Sequence, residues 1–481
     1  VRKWKGRLIA LGVTLAVLVP LAYLWATSLV PNDYSAMDMG YADYGGGPSS
    51  GHQHHGGQHQ NGKGVADLTG PRTGKPDVAV TLVAKKQKFT LASGESMDGF
   101  TLNGSSPGPL IRAKQGQLVE VTLVNESVPD GATLHWHGID VPNGEDGVAG
   151  VTQDAVPVGG KHVYRFLADD VGTYWYHSHQ VSSEEVRGGL FGTIVIDGAD
   201  DDVIAAIHTY DGKRTINGRT GSQRVEVAAG KKVRVRVINT DNTIVRTGLV
   251  GAQYKVIAVD GRELHGPTPV TAAFPLAAGA RVDLEAVVPA SGALRLDAGT
   301  VSMEIGSGTA SAEPLPSATV DLLSYGTRAP LGLDPAKADR RFEYRIGRRP
   351  GFLDGVPGLW WTINGHKFPD VPMYMVAEGD VVVMKISNSS GQAHPMHLHG
   401  HHAVVLSRNG VAATGTPWWI DTLEVGDKET YEIAFLADNP GIWMDHCHNL
   451  PHASEGLMTH LAYEGVSTPY QIGGKHGNEP E

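Results

Sequence analysis

The stretch TINGHKFPDVPMYMVAEGDVVVMKISN, residues 362–388, holds three landmarks: TING at 362–365, then Gly379, then an alternating strand that closes on Asn388. The same landmarks occur twice upstream. TLNG stands at 101–104 with Gly116 and Asn125, and TING at 215–218 with Gly230 and Asn239. The glycine follows the motif Asn by 13, 13 and 15 residues, and each closing Asn comes nine residues after that glycine. The segments QLVEVTLVN, KKVRVRVIN and DVVVMKISN alternate with the period of a half-buried strand. Three copies at spacings of 114 and 147 residues predict three consecutive β-sandwich domains.

Composition agrees with an all-β chain. Of 481 residues, 41% are hydrophobic and 19% charged, enough for two to four compact cores. The 62 glycines and 28 prolines are aperiodic and suit many short strands joined by turns. A net charge of −11 excludes the clustered cationic footprint of a nucleic-acid binder. One cysteine permits no internal disulfide, and beside it stand 22 histidines.

Arg2, Lys3, Lys5 and Arg7 precede 23 uncharged residues, 8–30, which as a helix measure roughly 35 Å, enough to cross a bilayer. A membrane anchor is the favoured reading. A cleaved signal peptide is the alternative, since Ala26 and Ser28 have the small-residue spacing of a cleavage site. Either way the remainder is exported, so the protein is expected outside the cytoplasm, anchored or secreted. Residues 32–75 lack hydrophobic periodicity and include GGGPSSGHQHHGGQHQ at 45–60, which reads as a flexible tether. His52, His54, His55 and His59, with Met37 and Met39, are equally a metal-loading tail or a solvated linker. The expected organisation is anchor or signal 1–31, tether 32–75, sandwich domains 76–198, 199–330 and 331–467, and a C-terminal tail 468–481.

Four histidine clusters carry the chemistry: HWHG (His135, His137), WYHSH (His177, His179), HPMHLHGHH (His394, His397, His399, His401, His402) and HCHNLPH (His446, Cys447, His448, His452). All lie in the first and third repeats. Residues i and i+2 of a strand point to one face, so each HxH offers two imidazoles to one volume. In HCH the two histidines face one side and Cys447 the other, so neighbouring residues can serve two metal centres. Cys447, His452 and one further histidine would form the trigonal site that selects copper for electron transfer. Eight more imidazoles suit a copper cluster open to dioxygen; a closed four-ligand zinc site would leave most of them unused.

With these motifs the chain resembles the multicopper oxidases of the three-domain, cupredoxin-fold type, the group that contains laccases and bacterial metal oxidases. The resemblance covers about residues 76–467. It implies Greek-key cupredoxin domains and four copper ions, with His394, Cys447 and His452 at a type 1 copper. His135 and His397 would hold the type 2 copper, and His137, His177, His179, His399, His446 and His448 the type 3 pair. It also implies that electrons from a reducing substrate pass through Cys447 to a cluster between the first and third domains, where dioxygen is reduced to water. Two departures stand out. The position ten residues after Cys447, methionine in many bacterial metal oxidases, is Leu457, which favours a more oxidising site unless Met458 takes its place. Among proton donors, Asp146 matches the family's carboxylate near the type 2 copper. The residue after the last type 1 histidine, often glutamate in bacterial members, is Ala453, for which Glu455 or Asp445 is the expected substitute.

The partners implied are dioxygen and a reductant. A laccase-like oxidation of phenols or aromatic amines is the leading expectation; a cuprous or other metal oxidase serving copper tolerance is the alternative, and a non-catalytic copper carrier a distant third. Oligomeric state is not legible in the chain.

Overall fold

The computed structural model describes residues 2–45, 62–199 and 201–481. Past the N-terminal helix Arg2–Ala26 the described chain is nearly all strand, arranged as three successive pairs of packed sheets. The first pair has the four-stranded sheet of Ser96–Leu102, Val78–Thr90, Leu118–Asn125 and Lys161–Leu167. Its partner orders Ile111–Ala113, Phe191–Ile196, Gly172–His177 and His135–His137. Six- and five-stranded sheets follow within 203–305, and sheets of seven and six strands are built mainly from 340–463.

The landmarks that mark the repeats have one structural job in all copies. Asn103, Asn217 and Asn364 have φ of 54°, 51° and 53°, and the glycines after them 82°, 70° and 84°. Two successive positive φ values make the tight hairpin turn that Asn-Gly adopts most readily. Each Asn side chain then reaches back to the preceding strand: its oxygen accepts from Val83, Ala206 or Arg345 N–H at 2.7–2.9 Å. Its amide donates to the carbonyl of Thr81, Ile204 or Glu343 at 2.7–2.9 Å. The closing residues Asn125, Asn239 and Asn388 are buried, each with its amide pinning two or more loop carbonyls. The motif is therefore a recurring solution for holding a sandwich corner.

Both flanks of the expected tether depart from it. Asp33–Tyr34 pairs with Ile472–Gly473, Tyr41–Asp43 runs parallel to Pro372–Val376 as an edge of the third sandwich, and Lys63–Gly64 pairs with Val466–Ser467. Met39 is buried in the core. These bridges are two or three residues long, too short to leave a periodic signal. The four tether histidines lie outside the described residues. The segment 468–481 is likewise no loose tail: Asn478 accepts from Ala155 N–H at 2.8 Å, donates to Gln471 O at 2.7 Å, and is buried.

The helix Arg2–Ala26 contains a 23-residue stretch, Trp4–Ala26, long and apolar enough to cross a membrane, and none of it is buried in the protein. Its end docks on the body, where Asp354 N–H donates to Ser28 O at 2.8 Å.

Candidate metal centre

The register of the strands assembles the histidines. His135 stands opposite His177, and His397 opposite His446, so paired imidazoles leave their sheets on matching faces. Stacked rings then join the first and third sandwiches: His137 on His397 with centroids 3.7 Å apart, and His135 on His399 at 3.8 Å. These six, together with His179 and His448, are all buried.

Their ring nitrogens sort into those already bonded and those left free. His135 Nδ1 donates to Asp146 at 3.0 Å and His399 Nδ1 to the same carboxylate at 3.1 Å. His177, His179 and His397 donate Nδ1 to the carbonyls of Ser178, Pro480 and Asp421 at 2.8–2.9 Å. Fixing Nδ1–H in this way leaves Nε2 with its lone pair. His137 is turned the other way, with Nε2 3.1 Å from Thr422 Oγ1 and Nδ1 unpartnered. His177 Nε2, His179 Nε2 and both nitrogens of His448 have no hydrogen-bond partner. His135 and His397 bring their Nε2 atoms to 3.4 Å, His399 and His446 to 3.2 Å. Two nitrogens each about 2 Å from a shared ion at a tetrahedral angle stand about 3.3 Å apart. Buried, unpartnered and convergent nitrogens are what a metal cluster would complete.

A second group lies on the opposite face of the HCH strand. His394 Nδ1 and His452 Nδ1 are 3.6 and 3.8 Å from Cys447 Sγ and 3.2 Å from each other. A trigonal site with metal–nitrogen and metal–sulfur bonds of about 2.0 and 2.3 Å needs about 3.7 and 3.5 Å for those edges. Trp361 packs against both rings, at 4.7 and 4.5 Å.

Electrostatics keep the imidazoles neutral, the form that ligates. Burial, reinforced by neighbouring imidazoles, pushes His137, His177, His179, His399 and His448 well below the usual histidine range. It takes His394 and His446 to about 3 and His397 to about 4. Burial raises the Cys447 thiol, so the thiolate needs a cation beside it.

Of the expected carboxylates, only Asp146 meets the cluster histidines. Glu455 does not: it accepts from Trp361 Nε1 at 2.8 Å, beside the Cys447 group. Asp445 alternates with His446 and shares Cys447's face, where burial lifts its carboxyl to about 8. In their stead the structure brings up two residues that no motif marks. Glu481 has one carboxylate oxygen 2.7 Å from His446 Nδ1 and 3.9 Å from His179 Nε2, and accepts from Ser182 Oγ at 2.7 Å. Burial raises its carboxyl to about 7. Asp421 stands 3.3 Å from His137 Nε2 and 2.7 Å from Arg281 of the second sandwich. Burial would lift the Asp421 carboxyl, but Arg281, His137 and His397 hold it well below the carboxylate range. The second sandwich, free of HxH motifs, thus supplies the buried cation behind the cluster.

The remaining candidates are separated by position. Met458 pairs with His446 and so leaves on the cluster's face, whereas buried Leu457, whose carbonyl accepts from Cys447 N–H at 3.1 Å, precedes that strand. His401 and His402 stand apart from the free nitrogens: His401 is 2.7 Å from the Tyr463 hydroxyl, and His402 3.0 Å from the Asp260 carbonyl.

Comparison with known proteins agrees with this geometry. Two models of the family described as multicopper oxidase match residues 83–201 and 341–465, together half of the chain. The chain is 27% identical over 473 residues to multicopper oxidase MmcO of Mycobacterium tuberculosis, covering 83% of this chain and 89% of that protein. It is 29% identical over 465 residues to Laccase-1 of Botryotinia fuckeliana, covering 81% and 82%. The crystal structure of a multi-copper oxidase from Pseudomonas parafulva superposes with a TM-score of 0.67 at 29% identity, over 79% of this chain and 99% of that one. The chain therefore belongs to the multicopper oxidase family. It is a copper-dependent oxidoreductase that passes electrons from a reducing substrate to dioxygen.

Proposed function

We propose that the protein binds four copper ions and acts as a laccase-type oxidase of phenols or aromatic amines. In this reading His394, Cys447 and His452 hold the type 1 ion and His135 and His397 the type 2 ion. The type 3 pair is shared between His137, His177 and His448 on one side and His179, His399 and His446 on the other. Supporting this partition, the ligand atoms of His394, Cys447 and His452, and those of His179, His399 and His446, lie within 4.8 Å of one another in each group. Bound copper supplies one-electron oxidation at the first site and four-electron reduction of dioxygen at the cluster.

The observation that carries the substrate class is the Leu457 register. Met458 is committed to the other face, and buried Leu457, whose carbonyl accepts from Cys447 N–H, would offer a type 1 ion no thioether donor, which favours a strong oxidant suited to phenols. Asp146 orients His135 and His399 and stands ready to exchange protons with the cluster. Trp361 forms an aromatic wall over His394 and His452, and Glu455, bonded to its indole, is a positioning residue there.

The family also includes metal oxidases, among its structural neighbours a metallo-oxidase from Campylobacter jejuni, and burial of Met39 takes one thioether away from such a role for the tether. For location, the helix Arg2–Ala26 supports export with retention by a membrane anchor.

Oxygen-uptake rates for a simple phenol, copper(I) and iron(II) on one copper-loaded preparation test the reading. The phenol is expected to be turned over fastest. Uptake confined to copper(I) or iron(II) would overturn it.

A further inference from the structure

The Cys447 group is roofed by a long hairpin formed by Arg340–Leu353 and Val356–Ile363. Trp361 on this hairpin covers His394 and His452, and the Arg348 guanidinium lies 4.2 Å over the Trp361 ring. The hairpin end folds over the same loop: a Cβ added at Gly456 would lie 3.8 Å from the Leu353 side chain, four residues from His452.

Its turn also holds the end of the N-terminal helix. Asp354 N–H donates to Ser28 O at 2.8 Å, Gly355 N–H to Ser28 Oγ at 3.1 Å, and Val30 N–H to the Asp354 carboxylate at 3.3 Å. A Cβ at Gly355 would stand 2.8 Å from Trp25 Nε1. One turn therefore touches both the roof of the copper site and the end of a helix of membrane length.

The surface there is apolar with cationic shoulders. Val356 is 55% exposed and Leu359 50%, beside Trp25 at 47% and Leu29 at 46%. Arg348 and Arg349 stand five or six residues before the turn and Lys367 lies against Gly351 and Phe352, with Asp354 the one acid in the turn; Arg340 and Arg345, at the far end of the strand, are paired with carboxylates. Aromatic and aliphatic tips flanked by arginine are the composition of a membrane-interface contact, the arginines being drawn to anionic headgroups.

We propose that the hairpin turn seats in the surface of an anionic bilayer beside the N-terminal helix, so that the type 1 group takes electrons from a reductant dissolved there, a hydroquinone bearing an apolar tail. This rests on the reading of that helix as an anchor. A helix spanning Trp4–Ala26 ends at the water boundary, and whatever is hydrogen-bonded to Ser28 lies at the same height. Each hydroquinone gives up two electrons and two protons to become a quinone, and two of them reduce one dioxygen to two waters.

The test uses the full copper-loaded chain carrying Val356→Cys with a nitroxide label, in liposomes containing anionic phospholipid; the native Cys447 is buried. The label is expected to meet dissolved oxygen more often than a water-soluble nickel chelate. Protein that floats with the liposomes while its label stays water-accessible would overturn the hairpin proposal and leave the anchor standing. Protein that does not float would remove the anchor and the proposal with it. In the same liposomes Val356→Asp with Leu359→Asp should slow oxidation of a long-tailed hydroquinone several-fold and leave that of an untailed hydroquinone unchanged; equal effects on both would overturn the substrate class.

Discussion

The Glu481 carboxylate stands 2.7 Å from His446 Nδ1, tying a residue of the C-terminal segment to the histidine next to Cys447. Its other oxygen accepts from Ser182 on the helix that follows His177 and His179, so one side chain spans two sandwiches at the cluster. Partners that orient metal-bound histidines typically matter about 10–100-fold in activity or affinity. Glu481→Gln is expected to lower oxygen uptake by that order while the type 1 absorption persists, and unaltered uptake would deny Glu481 an orienting role.

The two histidine groups should be separable by colour. Cys447→Ser removes the sulfur and is expected to abolish both the intense blue absorption and substrate oxidation. His137→Ala keeps the blue band and loses oxygen uptake by at least about 100-fold, more than an outer partner would cost. Visible spectra alongside an oxygen electrode decide the matter, and a blue Cys447→Ser protein would refute the assignment.

Leu457→Met replaces a buried hydrocarbon, whose carbonyl is bonded to Cys447 N–H, with a thioether. The potential of the type 1 site is expected to fall, by about 59 mV for each tenfold gain in preference for copper(II) over copper(I). Redox titration of the blue band measures it, and an unchanged potential would mean residue 457 does not face the ion.

Arg281 is fully buried and paired with Asp421 at 2.7 Å and Asp260 at 3.5 Å. Arg281→Leu leaves these carboxylates without their cation, a loss of about 3–5 kcal/mol. Denaturant unfolding should show a clear drop in midpoint, partly restored when Asp421→Asn is added. A midpoint that does not move would show that other groups neutralise the pair.

Burial and the neighbouring Glu429 raise the Glu424 carboxyl to about 7, and one of its oxygens has no hydrogen-bond partner. Because the folded state holds this proton more tightly than the unfolded chain, the site costs stability progressively as pH rises from about 4.5 to about 7. Glu424→Gln is therefore expected to raise Tm at pH 8 and leave it nearly unchanged at pH 4.5. A gain of equal size at both pH values would contradict this account.

What the sequence disclosed and what it hid have a common physical basis. Strand alternation places residues two apart on one face, so HWH, HSH and HCH announced both the gathering of these histidines and the placing of Cys447 on the opposite face. The Asn-Gly turns showed through because two positive φ values tolerate few other residues. Asp421, Glu481 and Arg281 left no such trace. Asp421 and Glu481 meet the histidines, and Arg281 meets Asp421, through contacts between separate sandwiches or chain segments, and a carboxylate in IDTLEV or in NEPE looks the same whether solvated or buried. Glu455 misled for the converse reason: nearness in sequence to His452 placed it on the Trp361 side, since the helix Leu450–Ser454 carries the chain away from the cluster.

The edge strand Tyr41–Asp43 takes its place beside Pro372–Val376, from the far end of the polypeptide. Pairings so distant in sequence close late in folding. About three quarters of the chain must be available before this sheet is whole, and His135 waits equally long for His397. The ion sites thus come into being only when distant parts of the chain have met, so copper loads a chain that has brought its first and third sandwiches together rather than one still being made.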